Sequence, residues 1–357
     1  MKTYLDKNVY EAALERIAYC FQEFDNVLVA FSGGKDSGVM LNLCYNYADE
    51  HGLLDKLTMY HLDYEAQYQM TTEYVTRTFL EQFPGIRKMW YCVPIKAQSA
   101  CALGEPYWTP WDAAKKKLWV RAMPENPYVV HEGNLDVPFR HGMVDYEFQD
   151  KLSRHFAKKR GTTAVMVGLR ADESLNRYAA VARGKKRRSY EGRKWITQTS
   201  AVTANVYPLY DWRVSDIWTA TARFGFDYNR LYDLLYQAGL TAGQMRVASP
   251  FNDCAQESLK LYKVIDPSNW ARMIGRVTGV NLRACTEARR PWAGKPSSCR
   301  PAIPGNRIMN SCFPRWMRGR RPTTTTSWKN PKGTGCRGEP SIPEPPMKCW
   351  RPTRWLP

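Results

Sequence analysis

The sequence of 357 residues lacks the long apolar runs and the cysteine pairs that would assign it to several classes of protein. No stretch of 18 or more apolar residues occurs, so the sequence predicts no transmembrane helix. The first residues lack the apolar segment of a secretory signal, and the ten cysteines include no Cys-x-x-Cys pair. We therefore expect a cytoplasmic protein with reduced thiols. Apolar residues at 44% and charged residues at 24% are typical of a folded globular chain.

Aliphatic residues are scarce in the C-terminal segment from Cys285 to Pro357, which contains only four Leu, Ile or Val residues. This segment holds 13 of the 23 prolines and, with 11 Arg, 4 Lys and 3 Glu, carries +12 of the net charge of +18. Such a composition cannot form a hydrophobic core, so we predict a disordered tail. Two explanations stay open, a basic arm that binds nucleic acid and out-of-frame translation that starts near Cys285. The shortage of aliphatic residues favours the second.

Alternating strand and helix patterns dominate the chain before Cys285. The run from Asn26 to Phe31 is short, apolar and β-branched, which is typical of a buried parallel strand. The alternation predicts an α/β fold with a doubly wound, mostly parallel sheet and a helical C-terminal portion. Further strands are predicted at residues 56–62, 88–95, 163–167 and 204–207. Helices are predicted at residues 9–24, 67–83, 145–159, 214–224, 229–238, 256–264 and 268–277.

We divide the chain into three parts on these patterns. Residues 1–225 form the strand-and-helix domain, residues 226–284 the helical C-terminal portion, and residues 285–357 the tail. Within the first part, residues 97–142 show no clear periodicity and are rich in aromatic residues and prolines. An aromatic segment of that length is typical of an ordered functional loop, so we predict that this insertion forms a lid on the substrate side.

The segment Ser32-Gly33-Gly34-Lys35-Asp36-Ser37 lies between the first predicted strand and the helix that follows it. The glycines allow a sharp turn that brings backbone N–H groups against an anion, and the helix N-terminus adds its dipole. The serines supply hydroxyl groups, Lys35 supplies a cation, and Asp36 could cap the helix or bind a metal ion. An ordinary glycine turn would explain a Gly-Gly pair alone, but not these six residues at this location. The spacing differs from that of a Walker A motif.

This segment resembles the PP-loop of the adenine nucleotide α-hydrolase superfamily, the N-type ATP pyrophosphatases. Further segments narrow the resemblance to the phosphoadenosine phosphosulfate (PAPS) reductase family. The chain is similar to the DUF3440 branch, whose IbrA-like members are often paired with a ParB-like protein. The resemblance covers residues 4–282. The segments that carry it are His61-Leu62-Asp63, the run from Gly168 to Ser174 followed by Arg177, Tyr207-Pro208-Leu209-Tyr210-Asp211-Trp212, and Asp216-Ile217-Trp218.

The resemblance implies an enzyme that binds a nucleotide and Mg²⁺ and acts at the α-phosphate of ATP or on a sulfonucleotide such as PAPS. Arginine forks suit phosphate or sulfate oxygens. A surface ion-pair cluster would also explain the Arg170 segment, and a turn cap would explain Asp63. The nucleotide-binding residues that the resemblance implies are Ser32, Gly33, Gly34, Lys35, Asp36, Ser37, Asp63, Gly168, Arg170 and Arg177. The catalytic residues that it implies are Lys35, Asp36, Arg170 and Glu173, with Asp36 as the metal ligand.

Two departures from the family bear on the reaction. The Glu-Cys-Gly-x-His segment that carries the nucleophile of PAPS reductases proper is absent, so we expect no thiol-dependent reduction of PAPS. Cys254 could replace that nucleophile only if its pKa were lowered, and a buried structural thiol explains it better. The cysteines before residue 285 also lack the spacing of an iron–sulfur cluster, so we expect no such cluster.

A second basic signal runs from Arg183 to Lys194. A solvated loop explains it, and so does binding of nucleic-acid phosphate. Three functions therefore stay open. The chain is an enzyme acting on ATP or a sulfonucleotide, a component of nucleic-acid modification that works with a ParB-like partner, or a nucleotide-sensing regulator without turnover.

Overall fold

The computed structural model describes residues 6–102, 104–182, 189–245, 247, 249–252 and 255–281. Three predictions concern residues outside these ranges: the disordered tail, the thiol of Cys254 and the first half of the basic segment, residues 183–188. Within the described residues, every helix is too short or too polar to span a bilayer.

The central feature is an eight-stranded sheet in which six neighbouring strands run parallel. The strands of the described residues are β1 (Asn26–Ala30), β2 (Leu57–Leu62), β3 (Arg87–Cys92), β4 (Ala97–Ala102), β5 (Glu105–Trp108), β6 (Val129–His131), β7 (Thr163–Val167), β8 (Ser189–Tyr190), β9 (Arg193–Gln198) and β10 (Thr203–Val206). The sheet has the order β6–β3–β2–β1–β7–β10–β9–β8, with β9 and β8 antiparallel at one edge. Strands β4 and β5 form a separate antiparallel hairpin.

Helices cover both faces of this sheet. The α-helices of the described residues are α1 (Val9–Glu23), α2 (Lys35–Glu50), α3 (Gln69–Leu80), α4 (Asp145–Arg160), α5 (Leu175–Ala182), α6 (Val214–Phe224), α7 (Leu231–Gln237), α8 (Gln256–Leu259), α9 (Tyr262–Ile265) and α10 (Pro267–Arg276). Successive side chains of a strand point to opposite faces. Val27 and Val29 of β1 accordingly belong to the core shared with α1, α2, α3 and α6, whereas Leu28 belongs to the core shared with Phe148 of α4. The predicted α/β fold with a doubly wound, mostly parallel sheet is confirmed.

Local sequence explains where the first elements begin and end. Asn8 caps α1, because its side chain accepts a hydrogen bond from Glu11 N at 2.9 Å and the Glu11 carboxylate accepts one from Asn8 N at 3.2 Å. The buried strand β1 follows after a two-residue break and pairs in parallel with β2 on one side and β7 on the other. This central position places the segment after β1 at the middle of the carboxyl edge of the sheet.

Several predicted boundaries were wrong. Strand β3 ends at Cys92 and not at residue 95, and the helix predicted at residues 256–264 is divided into α8 and α9. Strand β6 lies within the predicted insertion at residues 97–142, and it joins the edge of the main sheet beside β3. Such a short strand shows no periodic pattern, so it could not be predicted from the sequence. Strands β8 and β9 were also missed, and Arg193 and Lys194 lie on β9 and not in a loop.

The helical C-terminal portion packs against the insertion. Residues of the hairpin β4–β5, of α7 and of α8 to α10 share one buried cluster, which includes Trp108, Leu231, Tyr262 and Met273. Part of the predicted lid is therefore a core element that joins the sheet domain to the last helices.

Candidate nucleotide site

The loop between β1 and α2 is held by its own serine hydroxyls. Gly34 is the N-cap of α2, and Lys35 is the first residue of the helix. The Ser37 hydroxyl donates a hydrogen bond to Gly34 O at 3.0 Å and accepts one from Ser32 N at 3.2 Å. The Ser32 hydroxyl lies 3.0 Å from the Ser37 hydroxyl. These bonds fold the loop over the first turn of α2, where helical N–H groups have no acceptor within the helix.

Two glycines permit the close approaches that this loop requires. Gly33 has φ +77°, in the left-handed region that favours glycine, and a Cβ there would lie 3.0 Å from Val75 Cγ2. Gly168 follows β7, and a Cβ there would lie 3.0 Å from Asp36 C and Ser37 N. The end of β7 therefore packs directly on the backbone of the first turn of α2. This contact brings Arg170 to the loop.

A buried cluster of opposite charges lies at the start of α2. Lys35 Nζ lies 2.8 Å from Asp36 Oδ2, and the Arg170 guanidinium contacts the other oxygen of Asp36 and also the carboxylate of Asp172. Lys35 is 7% exposed and Arg170 is 3% exposed, although both carry a full charge. The structure thus brings together four residues predicted from two segments that are distant in the sequence, namely Lys35, Asp36, Gly168 and Arg170.

Mutual attraction keeps these groups ionised despite their burial. Burial alone would raise the pKa of Asp36, but Lys35 and Arg170 lower it below its usual value. Burial would lower the pKa of Lys35, yet Tyr232 and Asp36 raise it above its usual value. Burial likewise opposes the charge of Arg170, and Asp36 raises its pKa. The cluster therefore holds two cations and the carboxylate of Asp36 at the helix N-terminus, with the carboxylate of Asp172 on the outer side of Arg170.

Two residues that sequence reasoning missed hold the loop from the opposite side. Asn229 donates a hydrogen bond to Gly33 O at 3.2 Å, and the Tyr232 hydroxyl accepts one from Lys35 N at 3.1 Å. Lys35 Nζ also lies 5.4 Å from the centre of the Tyr232 ring. Neither residue stands in a recognisable motif, and both are distant from the loop in the sequence. The sequence therefore carries no signal for these contacts.

Glu173 and Arg177 form an ion pair of their own beside the cluster. Arg177 Nε lies 2.9 Å from Glu173 Oε2. The side chain of Arg177 is 38% exposed and that of Glu173 is 15% exposed. Glu173 is joined to the cluster through its backbone, which donates to Arg170 O at 3.3 Å. The catalytic role that the resemblance implies for Glu173 stays a prediction.

Asp63 lies in a different environment from Asp36. Its carboxylate is fully buried and contacts Arg121 of the insertion, and it accepts hydrogen bonds from Trp90 Nε1 and Glu65 N, each at 2.8 Å. The link to the loop is indirect. His61 Nδ1, two residues earlier, lies 2.8 Å from Phe31 O at the end of β1. The predicted site residues therefore form one group at the loop, with Asp63 at a separate ion pair.

The described cysteines are buried thiols. Burial raises the pKa of Cys20 and of Cys92 well above the usual value of a thiol, and it also raises the pKa of Cys44. Cys101 is buried as well. A thiol with a raised pKa is a poor nucleophile, so Cys20, Cys44 and Cys92 suit packing and not attack on sulfur.

The two basic residues of this segment that the structure describes, Arg193 and Lys194, differ in their contacts. Arg193 forms an ion pair with Glu191 at 2.7 Å, and its guanidinium lies 4.0 Å from the centre of the Tyr19 ring. Lys194 is exposed on β9.

The geometry at α2 suits an oligoanion, because a helix N-terminus, an ammonium and a guanidinium converge there. A magnesium ion that accompanies a nucleotide needs one or two carboxylates besides the phosphate oxygens. Asp36 fits this need because it is ionised and lies among the phosphate-binding candidates. No group of three His, Cys, Asp or Glu residues suited to a metal ion occurs in the part of the chain that the structure describes.

Comparison with known proteins finds two domain models and one curated relative that match this chain. Residues 26–238 match the phosphoadenosine phosphosulfate reductase domain, and residues 239–290 match DUF3440, a domain of unknown function. Uncharacterized protein YbdN of Escherichia coli (strain K12) is 36% identical over 279 residues, which cover 77% of this chain and 67% of that protein.

Solved structures show more distant similarity. Phosphoadenylyl-sulfate (PAPS) reductase from Candida auris is 13% identical with a TM-score of 0.35, and the match covers 65% of this chain and 93% of that one. NH3-dependent NAD synthetase from Campylobacter jejuni is 11% identical with a TM-score of 0.32, and the match covers 81% of this chain and 100% of that one. These similarities are too distant to bear on function.

Proposed function

Since the chain belongs to the phosphoadenosine phosphosulfate reductase domain family, we propose that it is a nucleotide-binding enzyme that acts at the α-phosphate of ATP or on a sulfonucleotide. The observation that carries this proposal is the buried cluster of Lys35, Asp36 and Arg170 at the N-terminus of α2. Buried cations are costly unless a group of opposite charge stays near them. Asp36 and the partly exposed Asp172 supply that charge here, and a nucleotide phosphate would take over part of their pairing with Lys35 and Arg170 when it binds.

Each residue of the loop has a proposed role. The turn formed by Ser32, Gly33, Gly34 and Ser37 would enclose the leaving pyrophosphate with hydroxyl and N–H donors. Lys35 and Arg170 would neutralise the charge that develops on the phosphate oxygens, which is the main requirement of phosphoryl and adenylyl transfer. Gly168 would keep the end of β7, and so Arg170, against the first turn of α2.

Asp36 is the proposed ligand of Mg²⁺. A bound magnesium ion would supply charge neutralisation between the phosphates. The carboxylate would exchange part of its contact with Lys35 or Arg170 for the metal. Its lowered pKa keeps it ionised and therefore able to do so at neutral pH.

We propose positioning roles for the other two acidic residues. Glu173 would hold Arg177 near the phosphates, because the two side chains are already paired at 2.9 Å. Asp63 would act through Arg121, since both of its carboxylate oxygens are engaged with Arg121. Direct binding of ribose or metal by Asp63 would require that pair to open.

A reaction without attack by a protein thiol is favoured over reduction of PAPS. The described cysteines are buried with raised pKa or packed in the core, and the nucleophile segment of the reductases is absent from the sequence. The proposed chemistry is therefore displacement at phosphorus, with pyrophosphate as the leaving group when ATP is the substrate.

Release of pyrophosphate from ATP tests this proposal. We expect the full chain with ATP and Mg²⁺ to release pyrophosphate, and Arg170→Lys to release it at least about tenfold more slowly, because lysine keeps the charge but loses the fork. Arg193→Lys is the matched control, since Arg193 pairs with Glu191 on β9, and its rate should be unchanged.

The same measurement distinguishes the proposed enzyme from a second candidate, a nucleotide-dependent regulator without turnover. The chain could bind one ATP and release no pyrophosphate, whether or not sulfide or single-stranded nucleic acid is present as acceptor. That result would support a nucleotide-dependent regulator that works with a ParB-like partner. Absence of ATP and PAPS binding altogether would contradict both functions.

A further inference from the structure

A cavity of about 940 Å³ opens beside the insertion, at the carboxyl ends of β3 and β6. Cys92 and His131, the last residues of these strands, lie in its wall together with residues of the segment 111–134. Arg272 of α10 closes one side. A cavity of this volume is in the range of sites that enclose a small organic ligand.

The charges around this cavity are mainly positive. Lys116, Lys117, Arg121 and Arg272 line it, against Glu125 and Glu132. Glu132 is paired with His141 at 2.7 Å, and Arg121 is paired with Asp63. Among the residues that the structure describes, Lys116, Lys117 and Arg272 have no carboxylate partner. Three cations without a carboxylate partner around one cavity indicate an anionic ligand.

Two indole rings form part of the apolar wall. The rings of Trp111 and Trp119 meet edge to face with their centres 5.1 Å apart. Hydrogen bonds fix both rings, from Trp111 Nε1 to Asp63 O and from Trp119 Nε1 to Asp112 O, each at 2.9 Å. Trp111 is buried, whereas Trp119 is only half-buried and so presents part of its ring to the cavity.

Arg121 belongs to the charged lining of the cavity and also contacts its aromatic lining. Its guanidinium lies 5.0 Å from the centre of the Trp111 ring, its side chain is 10% exposed, and its Nε finds no acceptor within the described residues. A nearly buried guanidinium with a free donor is costly unless a ligand or water completes its bonding.

We propose that this cavity binds a nucleoside phosphate unit, with the base against Trp119 and the phosphate among Lys116, Lys117 and Arg272. A fixed aromatic ring beside several cations is the combination that binds a base and its phosphate together. The unit is either a free mononucleotide or one nucleotide of a single strand. We place this unit as a second substrate of the proposed enzyme, because the cavity and the loop share the carboxyl edge of the sheet, and this role rests on the proposed function. Binding of the unit in the cavity does not depend on the proposed function.

Binding to the full chain at 150 mM salt, in the presence of saturating ATP, tests the proposal. The probes are thymidine 5′-monophosphate, followed by calorimetry, and a fluorescein-labelled strand of four thymidylates, followed by anisotropy. We expect Trp119→Ala to weaken binding by about tenfold, as for loss of one stacked base. Lys116→Ala and Lys117→Ala should each weaken it by about fivefold. These lysines are exposed, so their substitution leaves the fold intact even if Trp119→Ala does not.

Lys115→Ala is the matched control, because Lys115 lies in the same turn, Ala113–Leu118, carries the same charge and does not line the cavity. Its affinity should change less than about twofold. An equal loss in Lys115→Ala, or no binding of either probe, would overturn the proposal. Tight binding of the mononucleotide identifies a free nucleotide as the ligand, and binding of the strand alone identifies a nucleic acid.

The variant Lys35→Ala distinguishes binding in the cavity from binding at the loop of residues 32–37. It should weaken ATP binding and leave binding of the labelled strand unchanged. If the natural chain binds the strand but neither ATP nor PAPS, the result would support the cavity and contradict the proposed function. Loss of strand binding in Lys35→Ala would show that the probe occupies the loop, and so would overturn the cavity as a separate site.

Discussion

Asp36 is the residue on which the charge balance of the candidate site depends. Its carboxylate contacts Lys35 and Arg170 at once, and all three side chains are nearly buried. Attraction between buried charges is strong, but it only offsets the loss of their hydration. Removal of the carboxylate therefore leaves two cations close together in a poorly hydrated place.

We predict that Asp36→Asn lowers the free energy of unfolding by about 3–5 kcal/mol at pH 7, the usual cost of breaking a buried ion pair. Asp172→Asn is the matched control. Asp172 contacts the same arginine, but its side chain is 41% exposed, so its loss should cost below about 1 kcal/mol. Urea denaturation of the three proteins gives both values, and equal costs would show that burial of the cluster does not matter.

The natural chain and Asp36→Asn should differ in their free energy of unfolding by an amount that depends on pH. This dependence follows from the lowered pKa of Asp36, which Lys35 and Arg170 cause against the effect of burial. A carboxyl whose pKa is lower in the folded chain stabilises the fold fully above about pH 4, its value in the unfolded chain. This stabilisation is lost as the pH falls through the lowered pKa of the folded chain. The gap between the natural chain and Asp36→Asn should therefore be constant between about pH 5 and about pH 8, and it should narrow below about pH 4.

Glu65 is a buried polar link between elements distant in the sequence. It follows β2, and its buried carboxylate pairs with Arg276 of α10 at 2.8 and 2.9 Å. The same carboxylate accepts hydrogen bonds from Trp111 N at 2.7 Å and from Val120 N at 3.0 Å, both in the insertion. The sheet, the insertion and the last helix described thus meet at one side chain.

We expect Arg276→Met to destabilise the chain by about 3–5 kcal/mol, because it leaves the Glu65 carboxylate buried without its cation. Glu65→Gln combined with Arg276→Met should cost less than the sum of the single changes, since the uncompensated charge is then removed. Arg154→Met, which removes the exposed pair with Asp150, should cost about 0.5 kcal/mol or less and serves as the control. Strict additivity in thermal unfolding of the double variant would argue against the link.

Elements could be predicted from the sequence where their signal is local. The loop at residues 32–37 follows from its own residues and from the strand and helix on either side, and its place after β1 is confirmed. Strand β6 is very short, and its partner β3 is distant in the sequence, so no pattern indicates it. The contact of Tyr232 with Lys35 depends on how α7 packs, and the pairing of Asp63 with Arg121 depends on the path of the insertion.

Both proposed sites lie along one edge of the sheet. The loop follows β1, Arg170 follows β7, and the cavity lies at the ends of β3 and β6. Ligands of open α/β sheets bind in the crevice outside the carboxyl ends of the strands. The net charge of +18 is a poor guide to these sites, because +12 of it belongs to residues 285–357. The interpretations of that segment as a basic arm or as out-of-frame sequence stay predictions.

Calorimetric titration of the full chain with ATP and Mg²⁺ tests the central claim most directly. Lys35→Ala removes a cation from the proposed phosphate site, and Ser37→Ala removes the hydroxyl that closes the loop. We predict that each weakens ATP binding by about 1.5–3 kcal/mol, the scale of a hydrogen bond to a charged group. Lys115→Ala, which removes an equal charge far along the chain, should bind ATP as the natural chain does. Unchanged affinity in both Lys35→Ala and Ser37→Ala would contradict the assignment of this loop as the nucleotide site.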